Sequence, residues 1–321
     1  MPKTFQGPIA IGRISRSTHT AAVHRLVRDG HAKIEEFEQA IWTDQQKILD
    51  TQKNFAFVSA GQSNWLDLIR PLACTWNGFD SKNLKPENVG PVTRWFRTNT
   101  FYRKPTVNEK ISATGFELNE NLPKLKENGI VFLLGPYSFS KLVENTHYSD
   151  ITQLACDYIQ GVSKNISNLK KSGYSAVLFL EPYIGYSLSQ QKEIDYNLIQ
   201  EPLKKFDSSE FTTGVHFAKA NAGKILKEIE ETKINFVGID ALYTQPGDVS
   251  TSKDILFGIL DGSRAGIENK NLVQKQLNLF LKNSTFSGNY YLGPNDRLWD
   301  VPLDIALEKL KLLNTWNVKI K

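Results

Sequence analysis

Residues 211–262 contain three short runs, FTTGVHF (211–217), NFVGIDA (235–241) and ILFGILDG (255–262), each apolar through most of its length and soon followed by polar or small residues. A strand with one wet face alternates apolar and polar side chains. These runs do not, so they predict strands covered on both faces, as in a parallel sheet flanked by helices. The pattern continues in both directions from there, with GPIAIGRI (7–14), FAFVSAG (55–61), IVFLLGP (130–136), AVLFLEP (176–182) and NYYLGPN (289–295). Amphipathic segments at 18–28, 31–51, 64–76, 149–172, 218–232, 271–283 and 302–314 lie between them and predict the helices. Eight such strands in a chain of this length predict an α/β fold, a (β/α)8 TIM barrel, with 1–321 forming a single domain. A doubly wound open sheet is the competing architecture, but no GxGxxG follows the first strand, so a dinucleotide site has no support. Residues 77–128 are the longest stretch without a clear pattern and read as an irregular loop of functional weight.

Composition narrows the function classes. The chain of 321 residues is 40% hydrophobic and 23% charged, which excludes a disordered, collagenous or coiled-coil protein. No run approaches the roughly 18 apolar residues of a membrane span, and the N-terminus lacks the apolar core of a signal peptide, so a cytoplasmic location without membrane contact is expected. Cys74 and Cys156 belong to no metal-spaced cluster. A net charge of +5 is too mild for nucleic acid, and none is expected as a partner. The basic residues are nevertheless grouped. Arg13, Arg16, Arg25 and Arg28 all precede the first acid, Asp29, and a second group holds Arg94, Arg97, Arg103 and Lys104. Both groups suit small anionic ligands.

In a barrel the C-terminal strand ends converge on one face, so their polar residues are the candidate site. Glu181 follows four apolar residues and precedes Pro182; with Asp240 and Asp261 it is the candidate acid or base, the alternative being a structural ion pair. His216 reads as a hydrogen-bonded rim residue rather than a metal ligand, because no soft ligand stands near it. Candidate substrate-binding residues at the other strand ends are Arg13, Ser15, Arg16, Gln62, Asn64, His216, Arg264, Asn295 and Asp296. Trp95 and Asn99, in TRWFRTNTFY, join them as a place where a planar ring could stack.

These segments resemble the cobalamin-independent methionine synthases, and among their two barrels the N-terminal one. IGRISRSTHTAAVHRLVRDGHAKIEEFEQAI (11–41) is similar to the family's first-strand segment, and QKNFAFVSAGQSNWLDLI (52–69) to its second strand and the loop after it. VTRWFRTNTFY (92–102), IVFLLGPYSFSKL (130–142) and LGPNDRLWDVPLDIALEKL (292–310) match later stretches in the family's order. LFLEPYIGYS (178–187) stands where the family has an Asp-Glu-Pro strand end, with Leu180 in place of the Asp. The family's zinc-bearing barrel uses a His-x-Cys pair, a Glu and a late Cys. Here His216 is followed by Phe217 and Ala218, and GPNDRLW (293–299) has no Cys.

The resemblance therefore implies a free-standing relative of the N-terminal barrel. It would bind a methyl donor such as a methyl-folate polyglutamate, for methyl transfer to homocysteine. No zinc is expected on this chain; it is expected on a separate partner barrel. The alternatives are a metal-independent barrel enzyme using the strand-end carboxylates on another small molecule, and a non-catalytic scaffold of the synthase.

Overall fold

The computed structural model describes residues 3–96, 100–120, 122–206 and 209–316. Among these, the strands in chain order are β1 (Thr4–Pro8), β2 (Asn77–Phe79), β3 (Val92–Arg94), β4 (Phe101–Arg103), β5 (Thr106–Ser112), β6 (Gly129–Leu134), β7 (Glu144–Asn145), β8 (Tyr174–Leu180), β9 (Thr212–Phe217), β10 (Phe236–Asp240), β11 (Asp254–Leu260) and β12 (Asn289–Pro294). Seven of them form one parallel sheet in the order β1-β12-β11-β10-β9-β8-β6. Their burial explains their composition: every residue of β6 and β10 is buried, and in β8, β9, β11 and β12 at most one residue is not. Helices cover the outside of the sheet, among them Thr18–Arg28, Ile34–Asp50, Ile151–Lys171, Lys270–Asn283 and Leu303–Asn314.

The sheet closes through the run at 55–61, which forms two isolated bridges instead of a full strand. Phe57 pairs with Ile9 and Val58 with Gly129, and the Val58 carbonyl accepts the Ile130 N–H at 2.9 Å. Beyond Val58 the chain leaves the ladder, and two glutamine amides take over its hydrogen bonds. Gln52 pairs with both the N–H and the C=O of Ser59, and Gln62 accepts from the Phe132 N–H at 2.6 Å while donating to the Phe132 C=O at 3.0 Å. Gln62 is thus a strand substitute on β6, with its own backbone at φ 42°. Replacing it by Met keeps length and volume but strands two buried backbone groups. Chemical denaturation of Gln62→Met is expected to show a loss of about 2 kcal/mol, and an unchanged midpoint would show that the pairing carries no weight.

Residues 77–128 depart from the irregular loop expected of them. β2, β5 and β7 make a small three-stranded sheet, and β3 and β4 form an antiparallel hairpin. In β5 only Val107 and Ile111 are buried while Asn108, Glu109 and Lys110 face water, a spacing of four that shows no period-2 alternation. Two expected helices are shorter than the pattern suggested. The segment 64–76 is helical only at Arg70–Ala73, because the Asp67 carboxylate accepts from the Ile69 and Arg70 N–H groups and holds the chain before them in a turn. The segment 218–232 is helical only at Gly223–Glu228, since Lys219 and Ala222 give their N–H groups to the Asp240 and Thr244 side chains. No helix among the described residues is long and apolar enough to cross a membrane.

Candidate functional site

The C-terminal ends of β8, β9 and β12 open into a cleft of about 330 Å³. One wall is aromatic. Trp95 and Phe96 come from the β3–β4 hairpin, Tyr186 from the helix Pro182–Ser189, and Tyr243 from the turn after β10. Phe96 stacks on Tyr186 at a centroid distance of 5.0 Å and tilts against Trp95 at 4.8 Å. The polar lining is Glu181, His216, Lys219, Asp296, Arg297 and Asp300. Lys219 pairs with Asp296 at 3.0 Å, Arg297 pairs with Asp300 at 3.5 Å, and the Arg297 guanidinium lies 5.3 Å from the Trp95 ring.

Each polar group is held by the fold. Glu181 is fully buried, and its carboxylate accepts from the backbone N–H groups of Tyr137 and Ser138 at 3.0 and 2.7 Å, at the start of the helix Pro136–Leu142. Gly135 makes room for it, because a Cβ there would come within 2.2 Å of the carboxylate. Burial pushes the Glu181 carboxyl up to about 7, against the pull of its hydrogen bonds to Ser138 and Tyr137. His216 Nε2 lies 2.7 Å from the Asn295 carbonyl, which can only accept, so the neutral ring carries its proton on Nε2. Burial lowers the His216 pKa and favours that neutral form. The Nδ1 edge packs over Gly238, where a Cβ would come within 2.4 Å.

Asp240 organises this group from behind. One carboxylate oxygen accepts from the Lys219 N–H at 2.8 Å and the Asn295 side-chain amide at 3.0 Å, and the other from the Leu242 N–H at 3.0 Å. Burial raises its pKa to about 6, opposed by these bonds. Lys219 adopts φ 56°, a left-handed conformation that costs a lysine about 1–2 kcal/mol and that the Asp240 bond and the Asp296 ion pair hold in place. Asp296 feels burial most strongly, but Lys219, Arg297 and the Arg297 N–H outweigh it and hold the carboxyl below the usual range.

This geometry, a polar cluster at the C-terminal mouth of a closed parallel barrel, can be compared with known proteins. The profile of the cobalamin-independent synthase N-terminal domain matches residues 84–281. The chain belongs to that family. Among solved structures, a B12-independent methionine synthase from Shewanella sp. W3-18-1, in complex with selenomethionine, aligns over 88% of each chain with a TM-score of 0.63 at 16% identity. A protein assigned as a vitamin-B12-independent methionine synthase from Listeria monocytogenes aligns over 97% of this chain and 99% of its own, with a TM-score of 0.68 at 14% identity. A methyltransferase from Methanosarcina mazei gives 0.56 at 10% identity over 96% and 93%. At these identities the solved structures bear out the fold alone. No curated protein matches the chain in sequence.

In this synthase-family barrel the residues expected at the site separate into two sets. Glu181, His216, Trp95 and Asp296 line the cleft, with Asp240 and Asn295 directly behind them. The others lie elsewhere. Asp261 accepts from Ser263 and pairs with the exposed Arg264 in a local turn outside the cleft. Arg13 is buried with its guanidinium 3.6 Å from the Trp299 ring, bonded to the Trp65 carbonyl, and Ser15 is buried beside it in the chain. Arg16 donates to the Ser63 and Asn64 carbonyls and faces a lateral pocket that Asn64 also lines. Gln62 is the strand substitute described above. Arg97 and Asn99 lie outside the described residues.

Lys219 and Arg297 are cleft residues that the strand-end reading passed over. Each stands two residues beyond a strand end or its polar cap, in VHFAKAN and GPNDRLW, and a count extended by two positions would have included them. Among the described residues the donor set does not fit zinc. His216 spends Nε2 on a carbonyl, Cys74 lines the lateral pocket, and Cys156 sits beside Lys205. No three His, Cys, Asp or Glu side chains come together to hold a metal among the described residues.

Proposed function

We propose that this barrel binds a methyl-folate-type methyl donor in the mouth cleft and presents it for methyl transfer to homocysteine, which a separate zinc-bearing barrel chain would hold. The observation that carries this reading is the pairing of an aromatic wall with a carboxylate and cation lining in one cleft. A pterin is a flat ring that stacks on aromatic faces, and its amino-pyrimidine edge offers N–H donors to a carboxylate. The glutamate end offers carboxylates to Lys219 and Arg297, in exchange for their present partners Asp296 and Asp300.

Equilibrium dialysis with methyltetrahydrofolate, as mono- and polyglutamate, tests the reading. Trp95→Ala and Lys219→Ala are each expected to weaken binding about tenfold, the equivalent of one lost stacking or charged contact. Absence of saturable binding by the wild type would overturn it. A second reading rests on Glu181, whose carboxyl near 7 at the cleft floor suits a general acid or base acting without metal on another small molecule.

A further inference from the structure

The lateral pocket is a separate cavity of about 310 Å³ between the helices Thr18–Arg28 and Ile34–Asp50 and the segment 64–75, and it shares no lining residue with the mouth cleft. Its floor is apolar, built from buried Trp65 and half-buried Phe37 and Pro71, with exposed Ile34 at the rim. Its cations are Arg16, Arg70 and the more exposed Arg28, with His24 beside them. Arg28 is paired with Asp29 and Arg70 with Asp67, while Glu87 sits exposed at the rim. Arg16 differs from the other two. It makes no ion pair among the described residues; its Nε and one Nη donate to the Ser63 and Asn64 carbonyls, and the other Nη lies 3.4 Å from His24 Nδ1. A guanidinium has five N–H donors; with two given to carbonyls and a third facing His24, each terminal nitrogen still has one N–H for a carboxylate or phosphate. The same guanidinium lies 5.2 Å from the Phe37 ring, so an anion seated there would hold its own body against the apolar floor.

We infer that this pocket is a second ligand site, built for an organic anion whose single carboxylate or phosphate seats on Arg16 and Arg70 and whose flat apolar body lies on Phe37, Ile34 and Pro71. The site does not depend on the methyl-donor reading, because none of its residues lines the mouth.

Cys74 lines the pocket and supplies a local readout, while Cys156 is the buried control. Phenyl phosphate and benzoate are the probes, inorganic phosphate and benzyl alcohol the half-probes. Either probe, near ten times its dissociation constant, is expected to slow iodoacetamide alkylation of Cys74 by about tenfold without changing Cys156. The one effective at lower concentration identifies the headgroup, and each half-probe should need about tenfold more. Arg16→Gln should abolish the protection. Since Arg16 also ties two backbone carbonyls, Ile34→Glu provides the second variant: it puts a repelling charge at the rim, at the first turn of a helix where a glutamate is welcome. Protection should survive Lys219→Ala in the mouth. Protection that persists in Ile34→Glu, equal protection by inorganic phosphate, loss with Lys219→Ala, or no protection by either probe would each overturn the site.

Discussion

Between about pH 4.5 and pH 8 the stability of the wild-type chain relative to Glu181→Gln is expected to fall by about 3 kcal/mol, the worth of a carboxyl displaced from 4.5 to about 7. The folded chain holds this proton more tightly than the unfolded chain does. The stabilisation is therefore complete below the unfolded value of 4.5 and is lost as pH rises through about 7. Glutamine does not titrate, so urea denaturation of both proteins across this range isolates the one group; contributions from Asp240 and His216 cancel in the difference. The Gln side chain keeps one acceptor for the Tyr137 and Ser138 N–H groups but turns its amide N–H toward the other, which offsets the curve without tilting it. A difference that stays flat with pH would mean that Glu181 is an ordinary solvated carboxylate, and the second reading of the cleft would lose its acid or base.

Most of the barrel was legible because a parallel strand buried on both faces writes itself as an apolar run. The seven ladder strands all fall on or beside predicted runs. The closing strand was overestimated for a physical reason: FAFVSAG has the composition of a strand, but the Gln52 and Gln62 amides compete for the same hydrogen bonds and end the ladder after Val58. The small sheet of β2, β5 and β7 was invisible because its outer strands have three and two residues and β5 buries only Val107 and Ile111, four apart.

The site was legible in part. A strand end locates Glu181, His216 and Asp240 along the barrel axis, and topology alone brings them to one mouth. Side-chain direction is another matter. Arg13 and Arg16 have the chemistry of an anion site, yet the carbonyls of Trp65, Ser63 and Asn64 turn them away from the cleft, and no periodicity records where a loop carbonyl points. Asp240 reads as a catalytic carboxylate from its position, and in the fold it accepts three hydrogen bonds from behind the cleft, which no sequence pattern records. The aromatic wall comes from a hairpin, a helix and a turn far apart in the chain, so it exists only in the fold.

Asp240→Ala should be more damaging than any change in the cleft lining. The carboxylate satisfies the Lys219 and Leu242 N–H groups and the Asn295 amide, and truncation leaves one buried and two part-buried donors without their acceptor. Loss of such a network is expected to cost about 4 kcal/mol in chemical denaturation. The consequence reaches the cleft through two covalent paths. Lys219 loses the bond that holds its left-handed backbone, so its ammonium is no longer fixed opposite Asp296. Asn295 loses one of its two side-chain hydrogen bonds and keeps the Gly262 N–H on its Oδ1, which loosens the carbonyl that fixes the His216 tautomer. Asp240→Asn separates stability from site geometry, since one oxygen can still accept from Leu242 while the amide nitrogen opposes Lys219 and Asn295. That variant should recover part of the stability, and NMR of the His216 ring nitrogens should still show a mixture of tautomers. A His216 ring that stays in the single Nε2–H form in both variants would mean that Asp240 supports the fold without positioning the site.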